Sequence, residues 1–288
     1  MAEFTGLIES DPSDLRYLDE TVTVKAIDAK DFEDYKAYLR DAKNSPLGHM
    51  RAQRQSRNDC QGQSLANGEE KRGWYCTGSM TQLSDIYAYN ASEYSSSPRN
   101  IGRDQGTSIA AGVKVLVEGL PQIGVSPGLP TESDWPYSTY ERNANSFASR
   151  AKQVTIDGTF VSEHQPMPNF EGMLAGVAAG GSGHIGTYWP PRWSSVGGFR
   201  LMDQAPAGGG GHATEIIWAM ELASKWYLVV WNSHGDKFYL MSQRCYDALR
   251  QRNFSPFGAY LLLPDKAQER WYDRRIAGGG YWPTGDLS

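Results

Sequence analysis

Three residues far apart in the chain carry side chains that could act together. Cys60 follows a polar turn in "SRNDCQGQSLANGEE" and opens a stretch compatible with a short helix. A helix N-terminus presents unpaired N–H groups and partial positive charge, which favours thiolate over thiol, and a nearby imidazolium favours it further. His212 stands after four glycines and before a β-patterned run in "GGGGHATEIIWAM", and Asn232, twenty positions on, ends another such run in "VVWNSHGDKFYLMS". Two strands of one sheet can bring those positions together. An Asn oxygen facing one ring nitrogen then fixes the tautomer and aims the other nitrogen outward. The chemistry open to such a set is nucleophilic acyl transfer: sulfur attacks, imidazole moves the proton, the amide orients the ring. Each residue alone also has a plainer reading, as a loop-to-helix cysteine, a buried histidine satisfied by a carbonyl, and a strand-end turn.

The other candidates are weaker. Cys76 in "GWYCTG" and Cys245 in "SQRCYDAL" sit among large apolar residues, and three cysteines without a CxxC leave at least one unpaired. His184 in "GGSGHIGTY" is a rival base, but a turn after a helix explains its glycines, and the segment misses the G-x-S-x-G elbow of serine hydrolases. The histidines at 49, 164, 184, 212 and 234 show no ligand spacing such as H-x-x-x-H, so neither a metal site nor a cofactor is expected.

The elements that must position the three residues divide by period. From about Gln53 to Tyr140 the pattern is mainly helical: Leu83, Ile86, Tyr87 and Tyr94 share a face, and Thr107 or Ser108 caps a run carrying Ile109, Val113, Leu116 and Val117. After residue 150 the runs "QVTIDGTFVS", "ATEIIWAM", "WYLVVWNS", "FYLMS" and "GAYLLL" read as strands, broken by one helix from Phe170 to Ala179. Residues 1–50 read as an N-terminal arm, 51–150 as a helical lobe, 151–265 as a β-rich lobe, and 266–288 as a tail without a core pattern.

Composition bounds the function. A chain of 288 residues with 40% hydrophobic and 21% charged residues suits one large domain or two packed lobes. A formal charge of -5 without a cluster of five basic residues argues against a nucleic-acid partner. No apolar run approaches a membrane span, and the start "MAEFTGLIESDPSDL" lacks the pattern of a secretory signal, so a cytoplasmic setting is expected.

The order Cys, His, Asn, with "GGHA" before a strand and "WNSHG" after one, resembles the papain-like cysteine peptidases. "QLSDIYAYN" is similar to the segment that follows the family's nucleophile helix, and "TESDWPY" to its acidic-x-Tyr-Pro-Tyr; together the resemblance covers about residues 50 to 265. Cys-Gln-Gly is similar to the bacterial and phage variants of the nucleophile motif. A second segment, "GRDQGTSIAAG", imitates the family's Gln-Gly approach to the cysteine, but six positions from Gln105 lies Ala111, and Leu83 would then precede the nucleophile.

What the resemblance implies is an α+β fold of two lobes, one helical and one a β-barrel-like antiparallel sheet, with a cleft between them. Catalysis would fall to Cys60, His212 and Asn232. A glutamine six residues before the cysteine normally serves the oxyanion; Gln53 and Gln55 bracket that place, seven and five residues before Cys60, and Gln53 is preferred. Gly210 and Gly211 would let substrate backbone lie beside the imidazole, and Trp218 could line the groove. Three departures bear on activity. Gln61 and His234 replace two family tryptophans, which would leave the His212–Asn232 bond wetter, and Asp59 could raise the thiol pKa or turn into the helix as a cap. The expected substrate is a peptide or a peptidoglycan amide. The alternative is an inactive structural component of a large assembly such as a phage particle, contacting protein partners through the arm and the tail.

Overall fold

The computed structural model describes residues 55–77, 79–156, 161–166, 168–189, 191–233, 238–252, 254 and 257–264, together with Arg40. The expected arm and tail, Gln53 and His234 therefore lie outside the described residues, Arg40 excepted.

Among the described residues from 55 onward, four α-helices precede the sheet: α1 (Cys60–Thr77), α2 (Asp85–Ser96), α3 (Ile109–Val117) and α4 (Ala144–Ala151). Ser84 caps α2 by accepting the Tyr87 N–H, and Ser108, one of the two residues expected there, caps α3 by accepting the Ala111 N–H. Helix α1 breaks the usual pattern. Every residue from Cys60 to Tyr75 is buried, yet the segment is rich in glutamine, glutamate, lysine, arginine and serine. A polar helix enclosed on all sides must look for partners for its side chains inside the protein. In α1, Ser64 and Arg72 bond to residues of the sheet, Arg72 pairs with Glu69 within the helix, and Lys71 reaches the Val177 carbonyl. Gly68, a poor helix former, stands where a Cβ would overlap Glu215 Oε1 and Ser182 Oγ.

The remainder is an eight-stranded sheet in the order β1-β8-β2-β5-β6-β7-β4-β3, with α5 (Phe170–Ala178) and α6 (Gln243–Gln251) packed on it. Its strands are β1 (Val161–Pro166), β2 (Ser182–Trp189), β3 (Trp193–Val196), β4 (Phe199–Met202), β5 (Gly210–Leu222), β6 (Lys225–Trp231), β7 (Phe238–Ser242) and β8 (Ala259–Pro264). Pairing is antiparallel except for β4 with β7, which is parallel. The expected strands at 213–220, 226–233, 238–242 and 258–263 fall on β5 to β8, the second ending at Trp231, while the run expected at 153–162 meets β1 only from Val161. The stretch from 182 to 202, where no strand was expected, forms three further strands.

Apolar side chains gather in two clusters. One holds the sheet against α5 and α6 through Met173, Val177, Ile216, Val229, Leu240 and Tyr246. The other joins α1 to α4 through Leu65, Ile86, Tyr87, Leu116, Trp135 and Phe147, and takes in Ala213, Tyr260 and Leu262 from the sheet. Helix α1 contributes to both: Leu65 and Ala66 to the second, Trp74 and Tyr75 to the first.

Candidate active site

Cys60 is the first residue of α1. The Asp59 carbonyl accepts the Gln63 N–H at 3.0 Å, so the helix begins with the sulfur's own residue, and the free N–H ends of the first turn lie beside it. The strand facing it is β5. This strand pairs with β2 from Gly210 onward but with β6 only from Glu215 onward, so among the described residues no strand pairs with the β6-side edge of residues 210–214. Cys60 Sγ occupies that edge, accepting the Ala213 N–H at 3.4 Å.

His212 precedes Ala213 on β5, paired across the sheet with Thr187. Its Nε2 lies 3.0 Å from Asn232 Oδ1, just past the end of β6. A carbonyl oxygen accepts, so Nε2 carries the proton and Nδ1 is the basic nitrogen of the neutral ring. Both residues are buried. The three residues read from the sequence thus meet at one stretch of β5: the sulfur at the N–H of Ala213, next in the chain to His212, and the asparagine oxygen at His212 Nε2.

The electrostatics are less favourable to a thiolate. Burial pushes the Cys60 thiol up to about 12; the Ala213 N–H and the backbone of the first helical turn oppose this, and the Asp59 charge adds to it. Asp59 is itself buried, and desolvation raises its carboxyl to about 6 against the bonds it receives. Its side chain does not cap the helix backbone. It accepts the Tyr137 hydroxyl at 2.6 Å and the Gln63 side-chain amide at 3.3 Å.

Gln53 lies outside the described residues, but Gln55 is placed at the site. Its Oε1 accepts the Ser233 hydroxyl at 2.9 Å, tying the segment before the nucleophile to the residue after Asn232, and its Nε2 donates to Arg57 O at 2.8 Å. Gly211 and Gly210 pair with Tyr188 and Trp189 in the β2–β5 ladder. The glycine with a clear steric reason is Gly209, whose φ of 128° is left-handed and whose Cβ would overlap the Trp189 carbonyl. Trp218 does not line a groove: it is 2% exposed in the sheet core, stacked on Tyr75.

Other residues complete the surroundings. The Trp189 ring sits 4.6 Å from the His212 ring, covering the imidazole from β2. By its type alone it fits core or cleft wall equally well. The segment "GRDQG", a false match to the nucleophile motif, anchors the turn in front of the true candidate: Asp104, left-handed at φ 49°, accepts the Asn58 N–H at 3.0 Å and, through its carbonyl, the Asn58 side chain at 2.6 Å. His184, preferred as structural, is buried and bonded through Nδ1 to Ser64 and Glu215.

No protein-family model matches the chain, and no curated protein matches its sequence. Solved structures do. Bromelain from Ananas comosus in complex with the E64 inhibitor aligns with a TM-score of 0.52 at 13% identity, over 76% of this chain and 95% of that one. Procathepsin B S9 from Trypanosoma congolense gives 0.51 at 13% identity, over 78% and 75%. The proform of Amb a 11, a ragweed pollen cysteine protease, gives 0.50 at 13% identity over 78% of this chain, which spans 65% of that proform. With its helical region ahead of an antiparallel sheet region, this chain has the papain-like fold.

Proposed function

We propose that the protein is a cysteine hydrolase that cleaves an amide bond through Cys60, His212 and Asn232. One observation carries this reading: Cys60 Sγ and the Asn232 amide meet the same two-residue stretch of β5, at Ala213 N and at His212 Nε2. In this scheme His212 Nδ1 takes the thiol proton, the sulfur attacks the acyl carbon, and the imidazolium returns the proton to the leaving amine. Water then hydrolyses the thioester by the same relay. Asn232 holds the ring, and Trp189 covers it. The Cys60 N–H and the Gln55 amide stabilise the oxyanion, Gln55 replacing Gln53 in this role because its bond to Ser233 supports a place at the site. The substrate is a peptide or a peptidoglycan amide.

A second reading rests on the same sulfur. Cys60 is 1% exposed and its thiol is pushed up to about 12, the state expected of a protein that keeps the fold but not the activity and serves as a structural component. E-64, the inhibitor bound by the bromelain neighbour, separates the two. Hydrolase chemistry predicts stoichiometric labelling of Cys60, slowed at least 100-fold by His212→Ala. Labelling no faster than that of buried Cys245, or unchanged in His212→Ala, would favour the structural role.

A further inference from the structure

Behind the candidate nucleophile lies a second tie between α1 and β5. Ser64 stands four residues after Cys60, on the same helical face, and Glu215 stands two residues after Ala213, on the same face of the strand. Four residues of helix rise about 6 Å and two residues of strand about 6.7 Å, so the elements run in step and their contacts form a ladder. Cys60 Sγ meets Ala213 N on the first rung, and the Ser64 hydroxyl donates to Glu215 Oε2 at 2.9 Å on the second.

The second rung is built around an anion. Ser182 donates to Glu215 Oε1 at 2.5 Å while receiving Arg72 Nη1, and His184 Nδ1 lies 3.0 Å from Glu215 Oε2 and 2.7 Å from Ser64 Oγ. Ser64, Ser182, His184 and Glu215 are all at most 3% exposed. Ser182 accepts from arginine and gives its own hydrogen to Glu215 Oε1 while Ser64 donates to Oε2, so Glu215 accepts from both hydroxyls that face it. The set is not a second catalytic triad, since Ser64 and Glu215 share one nitrogen of His184.

We infer that Glu215 is a positioning residue that sets the nucleophile helix against the histidine strand, and so sets the sulfur's place beside the imidazole. The role rests on reading Cys60 as the nucleophile. Glutamine cannot replace the carboxylate, because its NH2 would face the donors of Ser64 and His184. Loss of the rung lets α1 slide along β5.

The test uses the full chain and follows E-64 labelling of Cys60 against pH. Glu215→Gln and Ser64→Ala are expected to slow labelling at neutral pH by roughly tenfold and threefold respectively and to move the acid limb of the profile by half a unit or more. Tyr246→Phe, which removes a buried bond from α6 to Pro168 O, serves as a control that lowers the melting temperature while keeping the wild-type profile. Ser64→Ala removes one hydroxyl and keeps the test decisive should Glu215→Gln not fold. Wild-type rates and profiles in the folded variants would overturn the positioning role alone. Failure of the wild type to label faster at Cys60 than at Cys245 would instead overturn the nucleophile reading, and the positioning role with it.

Discussion

At the scale of single residues the balance at Cys60 turns on its neighbour. Asp59 is buried and adds its charge to the burial that holds the thiol protonated. Asp59→Asn keeps an oxygen for the Tyr137 hydroxyl, and Gln63 can rotate its amide, so the substitution removes charge with little change of shape. Iodoacetamide should then alkylate Cys60 on the order of a few-fold faster at pH 7.5. The gain should shrink below pH 6, where Asp59 itself becomes protonated. Stability follows the same sign. A carboxyl raised from 3.8 to about 6 contributes stability that is present below pH 4 and lost as pH rises through 6, so Asp59→Asn should gain in melting temperature at pH 8 relative to pH 4. His212 and Asn232 were legible because each stands near the end of a strand whose type the local pattern reveals, whereas Cys60 was legible from its polar turn and from the chain order it shares with them. The sequence named Gln55 only as one of two candidates with Gln53, because what marks it is a partner far away in the chain, Ser233, and the place of Trp189 against the His212 ring is likewise set by a distant contact.

At the scale of elements, α1 was the hardest to read. Polar residues in a helical stretch usually mean a solvated face, and here they mean a buried network. Gly68, a weakness by propensity, is the place where that network touches the helix backbone. Gly68→Ala should gain about 1 kcal/mol of helix propensity. It should still lose about 2 kcal/mol or more overall, because the methyl displaces a buried carboxylate that three donors hold. Urea unfolding would measure the sign, and a stabilised variant would refute this account of the glycine. The sheet was partly legible. Strands β5 to β8 carry β-branched and aromatic runs, while β2 is disguised by Gly183 and Gly186, and α6, which opens at Gln243, went unread because its few apolar residues lie on one narrow face.

At the scale of the whole molecule, the two apolar clusters meet along α1, and bonds between distant parts of the chain close the site end. The Ser233–Gln55 bond is one of them. Ser233→Ala should cost about 1 kcal/mol of stability and slow E-64 labelling by more than that loss explains, since it frees the segment that leads into Cys60; equal labelling would place Gln55 outside the oxyanion site. At the opposite end Arg40 pairs with Glu221 at 2.8 Å and lies over Trp226 at the β5–β6 hairpin. The enclosed polar helix also bears on when chemistry becomes available as the chain matures. Residues 60–77 have neither the propensity nor a greasy stripe to coil by themselves, so they take shape only once sheet and bundle have shut around them. A freshly made chain therefore carries an ordinary thiol, and the buried setting of Cys60 against β5 arrives last.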